Sequence, residues 1–190
     1  MTYVLGYYPA HSDWNGKFRE IKVQVKHPGL HLRYRRGYFA LPDVPLDPKQ
    51  RQAYMREVVD SPLEATGLGL NVRVEPIDVP GARSLKTELQ IDARELLLQA
   101  RGDSWVGALD LLFVQRGADK KDLVGEAKTF DMRLQRDTFA RIRRDGLVLT
   151  RNLLLVPGAA ELRVVVRDVN SGSTGSVSIP LSRVFLTGGS

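Results

Sequence analysis

The chain has 190 residues, 43% of them hydrophobic and 26% charged, which is ordinary globular composition and excludes a disordered tail. It contains no cysteine, so a disulfide scaffold and a thiolate metal site are excluded. The net charge of +6 favours anionic partners in general, but the basic residues are spread along the chain and form no single block.

Residues 2–8, TYVLGYY, read as a strand rich in aromatic and β-branched residues. A buried strand directly after Met1 suggests an added initiator on a fragment of a longer protein. Residues 17–36 predict a β-hairpin. Glu20 to Lys26 alternate strictly, HPG at 27–29 signals a turn, and Leu30, Leu32 and Tyr34 oppose His31, Arg33 and Arg35 across the next strand. The Pro-rich stretch ALPDVPLDP is a connector. Asp47 before Pro48 is an N-cap followed by the favoured first helical residue, and predicts one short helix over 48–60.

From residue 68 onward seven strands are predicted: LGLNVRVEPIDV, LKTELQIDAREL, VGALDLLFVQR, EAKTFDMRL, LVLTRNLLLVP, ELRVVVRDV and GSVSIPLSRVF. DTFARIRRDG, 137–146, interrupts them as a helical turn with Asp137 as cap and Gly146 as stop. The expected fold is mainly β: an antiparallel immunoglobulin-like or fibronectin-like β-sandwich with an N-terminal hairpin segment and one short helix. The expected division is 1–45 for the N-terminal β segment and connector, 46–62 for the helix and linker, and 63–190 for the sandwich.

NSGSTG, 170–175, is rich enough in Gly and Ser to raise nucleotide binding. A phosphate-binding loop needs a lysine and a following helix, and VSIPL is a strand. The Asp-x-Asn-x-Gly rhythm of DVNSG resembles part of a calcium loop, but Asp168 is the one acid there and a cation of this kind wants several. The stretch therefore reads as a hairpin tip, with Gly172 and Gly175 supplying the reversal.

The three histidines, His11, His27 and His31, lie in the first 31 residues, and no GxSxG elbow exists to expose a serine. No catalytic residue, metal site or cofactor is assigned. A hydrolase is the least favoured of three readings. The best local candidate site is the basic hairpin: Lys22, Lys26, His31, Arg33 and Arg35 on its polar faces, with Tyr38 following. These residues predict a surface for a polyanion, glycan or lipid headgroup. The competing account is an edge kept soluble by its charges.

The motifs LGYYP (5–9), GKFREI (16–21), PGL (28–30) and RYRRGYFA (33–40) resemble the region that follows the von Willebrand factor type A-related domain in secreted acidobacterial proteins. PGAAELRVVVRDVNSGSTGSVSIPL resembles their C-terminal end. The adhesion motif DxSxS occurs nowhere in the chain, so no metal-dependent ligand site carries over, and Ala159 and Ala160 stand where a corner tyrosine is often found. The resemblance implies an extracytoplasmic, non-catalytic structural and protein-interaction module of a larger adhesion-type protein. Its implied partner is a neighbouring type A-like domain, with a protein or polyanionic partner besides.

Overall fold

The computed structural model describes residues 18–26, 37–39 and 47–186. The chain divides into two compact units, one over Tyr7–Pro45 and one holding everything described from residue 47 onward.

In the smaller unit, β1 (Phe18–Glu20) pairs antiparallel with β2 (Gly37–Phe39), with Phe18 opposite Phe39 and Glu20 opposite Gly37. Each pair is centred between residues 28 and 29, inside the HPG turn signal. β1 falls within the first strand the alternation outlined, residues 21–25 carry no strand assignment, and residues 27–36 of the expected hairpin lie outside the described residues.

The larger unit begins with α1 (Pro48–Asp60), at the bounds its cap predicted. Asp47 Oδ1 accepts from the Gln50 amide at 2.8 Å, and Gln50 Oε1 accepts from the Asp47 amide at 3.0 Å. This reciprocal box satisfies two donors that the helix itself cannot. Then follow β3 (Leu70–Val79), β4 (Ala82–Ile91), β5 (Gln99–Arg101), β6 (Ser104–Arg116), β7 (Asp122–Gln135), α2 (Arg136–Asp145), β8 (Leu147–Leu154), β9 (Glu161–Asp168), β10 (Thr174–Pro180) and α3 (Leu181–Leu186).

The fold is mainly β, with two open antiparallel sheets and a few short helices. One sheet has the order β3-β4-β8. The other has the order β10-β9-β6-β5, with β7 on the opposite side of β6. Alternation places Leu85, Thr87, Leu89 and Ile91 of β4 inward. Leu85, Leu89 and Ile91 share one core with Leu109, Leu111 and Phe113 of β6 and with Leu162, Val164 and Val166 of β9. All eight residues of β9 are buried, as its continuous β-branched run implies, because β10 and β6 flank it. Its outer face, with Val165, is covered by Met55, Val58 and Val59 of α1.

Three helices, not one, occur among the described residues. In α2 the N-cap is Gln135, with no side-chain cap, and Asp137 sits in the first turn instead. The last predicted strand ends at Pro180, and LSRVFL continues as α3. Pro180 closes an edge strand, and Pro76 lies in β3, the edge of the smaller sheet.

The tip after β9 is a turn, as its composition indicated. The Asp168 carboxylate is fully buried and accepts from Leu97 N (2.7 Å), Ser171 Oγ (2.7 Å) and Asn170 N (3.0 Å). Its oxygens are committed to backbone and hydroxyl donors. Gly172 has φ +76, which explains that glycine. Gly175 does something else: it lies inside β10, where close approach of the chain at Leu68 requires it.

Candidate functional site

The sequence-predicted site is described only in part. Lys22 and Lys26 are exposed. His31, Arg33 and Arg35 lie outside the described residues, as do His11 and His27, and Tyr38 is described only as a backbone position of β2.

The larger unit holds a different arrangement. The two outer edges of the larger sheet are treated unequally. Along β10 the segment 64–68 runs as a cover: Leu68 N donates to Thr174 O (3.1 Å), Ser176 N to Ala65 O (2.9 Å), and Ser178 N to Glu64 Oε1 (2.9 Å), with a bridge between Thr66 and Gly175. Along β7, fourteen residues long, pairing among the described strands is with β6 alone. Among the described residues, the backbone donors and acceptors on its other side have no strand partner.

A cleft of about 260 Å³ runs beside this edge, between α1 and the β6–β7 ladder. Its floor includes Met55, Leu112, Gly125 and Ala127. Its polar lining includes Arg51, Gln52, Arg56, Asp110, Lys128 and Thr129. Helical spacing explains the helix's share. Met55, Val58 and Val59 face the sheet, so Arg51 and Arg56 flank the buried stripe.

Asp110 is the single acid of the lining. Arg51 Nε lies 2.9 Å from its Oδ2, and Thr129 Oγ1 donates to its Oδ1 at 2.7 Å. Arg167, directly across from Asp110 on β9, is buried beneath the Tyr54 ring at 5.6 Å. Asp110 is thus neutralised from within. Arg56 forms no ion pair among the described residues, whereas Lys128, opposite Leu111 of β6 and between Ala127 and Thr129, starts on the same face of β7 as Glu126.

On the other face of β7, Glu126 is ion-paired with Arg151 of β8. Beside it lies a small hollow of about 120 Å³, lined by Phe113, Val124, Leu153, Leu154 and Val156 among others. Val124 and Leu154 are 40% and 59% exposed there.

Sequence reading missed this cleft, although one signal was available. Asp110 is a lone charge in ALDLLFV, and a carboxylate in a buried run requires partners. Which partners was not legible, because Arg51 and Thr129 are far from it in the chain.

Two other hollows are built mainly for stability. Trp105 stacks on Phe139 at 4.2 Å, with Arg143 5.7 Å from the Phe139 ring centre, and both rings pack on the core. Near Gly146, Arg94 donates through Nε and Nη2 to Asp92, at 2.5 to 3.2 Å, and also through its backbone amide at 3.0 Å. These bonds hold the Asp92 pKa down from 3.8 to about 2. A depressed carboxylate contributes stability above its unfolded pKa and loses it as pH falls through the folded one. The Asp92 carboxyl ¹³C resonance should therefore titrate with a midpoint near 2. A midpoint near 4 would show the pair is not formed in solution.

Among the described residues no group of three or more His, Cys, Asp or Glu is placed to hold a metal ion, and no helix is long and apolar enough to cross a membrane. No protein-family model matches the chain, and no curated protein matches it.

Proposed function

We propose that this chain is a non-catalytic interaction module that binds a partner protein through the open edge of β7. The observation that carries the reading is the asymmetry of the larger sheet: β10 is covered by residues 64–68, while the fourteen residues of β7 pair, among the described residues, on one side only. Long unpaired edges invite strand addition, and proteins normally block the ones they do not use.

The strand orders support a fibronectin-like sandwich as the finer description of the fold. β3, β4 and β8 form one sheet, while β5, β6, β7, β9 and β10 form the other, so the chain crosses between sheets in Greek-key fashion. Such a module braces or presents a neighbouring domain. The resemblance of the 3–40 segment supports placing it outside the cytoplasm, next to a type A-like adhesion domain.

The test is selection of extended peptides from a random displayed library on the full chain, followed by hydrogen exchange of each complex. Ligands of this module slow exchange within Asp122–Gln135. Ligands that protect only other segments would overturn the reading. A polyanion-binding module acting through Lys22, Lys26 and the rest of the 22–39 hairpin is the second reading, and the exposure of both lysines favours it. It predicts retention on heparin at 0.15 M salt, lost on changing Lys22 and Lys26 to Glu. Elution of the unaltered protein in the void would end it.

A further inference from the structure

The β6–β7 register sorts the side chains of β7 between its two faces. Leu109, Leu111 and Phe113 of β6 face the core, so their partners Phe130, Lys128 and Glu126 start on that face, and Val124 with them. Gly125, Ala127 and Thr129 start on the α1 face. The core-side row thus reads Val, Glu, Lys, Phe: two apolar residues flank two opposite charges. Turned end for end, such a row complements itself.

From this order we infer that the partner on the β7 edge is a second copy of this chain, its own β7 running antiparallel to the first about a two-fold axis at Ala127. The inference deepens the edge-docking function proposed above and rests on it. That axis sets Glu126 opposite the partner's Lys128 and Val124 opposite the partner's Phe130, each pair occurring twice. On the α1 face Ala127 meets itself and Gly125 meets the partner's Thr129, so the side chains there are small. Other centres fail. Glu126, Lys128 or Asp131 at the axis would oppose its own charge. Gly125 there sets Glu126 against Val124, while Thr129 or Phe130 sets both Glu126 and Lys128 against apolar residues. Met132 there brings Arg136 of α2 opposite Lys128.

The groups needed are available. Lys128 is exposed and forms no ion pair among the described residues. Arg151 donates through Nε (2.9 Å) and Nη2 to Glu126 Oε1 alone, which leaves Oε2 for the partner's ammonium. Val124 is exposed, and Phe130 is half-buried against the core. An inward-facing charge on an edge strand ordinarily deters an arriving strand. Here the arriving strand brings the opposite charge to that position, so the residues that exclude other strands admit this one. There is also room. α1 packs over Leu112 and Val114 of β6 and Val165 of β9. The two copies of α1 therefore stand about four strand spacings apart, roughly 19 Å, well beyond helix contact. The partner strand ends at Asp122, opposite Met132, so α2 lies past it.

The experiment uses the full chain. It contains no cysteine, so one introduced thiol reports the register. Ala127→Cys should form an interchain disulfide in oxidised glutathione, because the two Cα atoms lie about 4.5–5.5 Å apart. Thr129→Cys sets its thiols about 13 Å apart along the strands and should cross-link at least about tenfold more slowly. Sedimentation of the unaltered chain at up to about 200 μM should show a reversible dimer. Lys128→Glu alone and Glu126→Lys alone should each weaken it at least about tenfold. An equimolar mixture of the two variants should dimerise again, since opposite charges then meet, and that rescue requires both to be folded. Equal cross-linking at 129 would overturn the axis at Ala127. A dimer indifferent to both charge reversals would overturn the inference. So would a monomer at every concentration, where library-selected peptides do protect β7. A monomer with no such peptides would overturn the docking function as well.

Discussion

Replacing Arg163 with alanine should lower the unfolding free energy by about 3–5 kcal/mol, measured by urea denaturation. Arg163 lies on the outer face of β9 and is 3% exposed. Its Nη2 donates to the carbonyls of Leu63 (2.9 Å), Val58 (3.2 Å) and Ser61 (3.4 Å) and to Ser176 Oγ (3.1 Å), while Nη1 donates to Ser178 Oγ (2.8 Å). Val58 belongs to the last turn of α1, whose carbonyls have no partner within the helix. That turn contains no basic residue of its own, so Arg163 supplies the cation that favours a helix C-terminus. Burial pushes the guanidinium pKa below its ordinary value, with Glu64 opposing the shift.

One side chain thus ties the helix end, the 61–65 segment and β10 to β9. Alanine would leave three carbonyls without their donor in a place water reaches poorly, which is the costly kind of loss. Arg163→Lys keeps the charge but not the fork, and should cost about 1–2 kcal/mol. Arg167 provides the internal control. It lies four residues away on the same face of β9 and is also buried, with its guanidinium against the Tyr54 ring, but among the described residues Nε and Nη1 have no hydrogen-bond partner. Arg167→Met should therefore cost under about 1 kcal/mol. Similar losses for both would show that burial of the arginine, and not its bonding, matters.

The second large effect is expected at Gly175. A methyl group there would stand 2.4 Å from the Leu68 carbonyl oxygen and 3.2 Å from Leu70 Cβ. The obstacle is backbone, so no rotamer change relieves it. Gly175→Ala should cost about 2–3 kcal/mol and speed amide exchange in residues 64–68, because the covering segment must lift from β10. Gly125→Ala, with nothing nearer than Val114 at 3.8 Å, should change stability by less than about 0.5 kcal/mol. If Gly175→Ala were as mild as Gly125→Ala, the 64–68 cover would not be held as described. Loosening that cover would also give the larger sheet a second open edge, and with it a tendency to self-associate.

Both effects explain why some features were legible in the chain and others not. The Asp47–Pro48 pair and the box with Gln50 act within one helical turn, so the start of α1 could be read residue by residue. β9 could be read as central because a run of β-branched residues suits a strand covered on both faces. The Asp168 turn was readable because its bonding is largely local. By contrast, LSRVFL alternates well enough for a strand but forms α3, since Leu181 and Val184 find the core at helical spacing. Gly175 looked like a turn residue because sequence does not show which backbone passes across it. The basic residues of 22–39 drew notice because they are close together in the chain. The α1 cleft did not, because its lining comes from three separated segments.

The sequence by itself determined the class of fold, the bounds of α1, most strands and the nature of the turns. Each of these follows from periodicity and capping, which act over a few residues. Tertiary structure alone decided that residues 64–68 cover β10 while β7 pairs, among the described residues, with β6 alone, that Arg163 caps the end of α1, and that Arg51 pairs with Asp110. These depend on which distant segments come within hydrogen-bonding reach, and alternation along a strand is blind to its neighbour across the sheet.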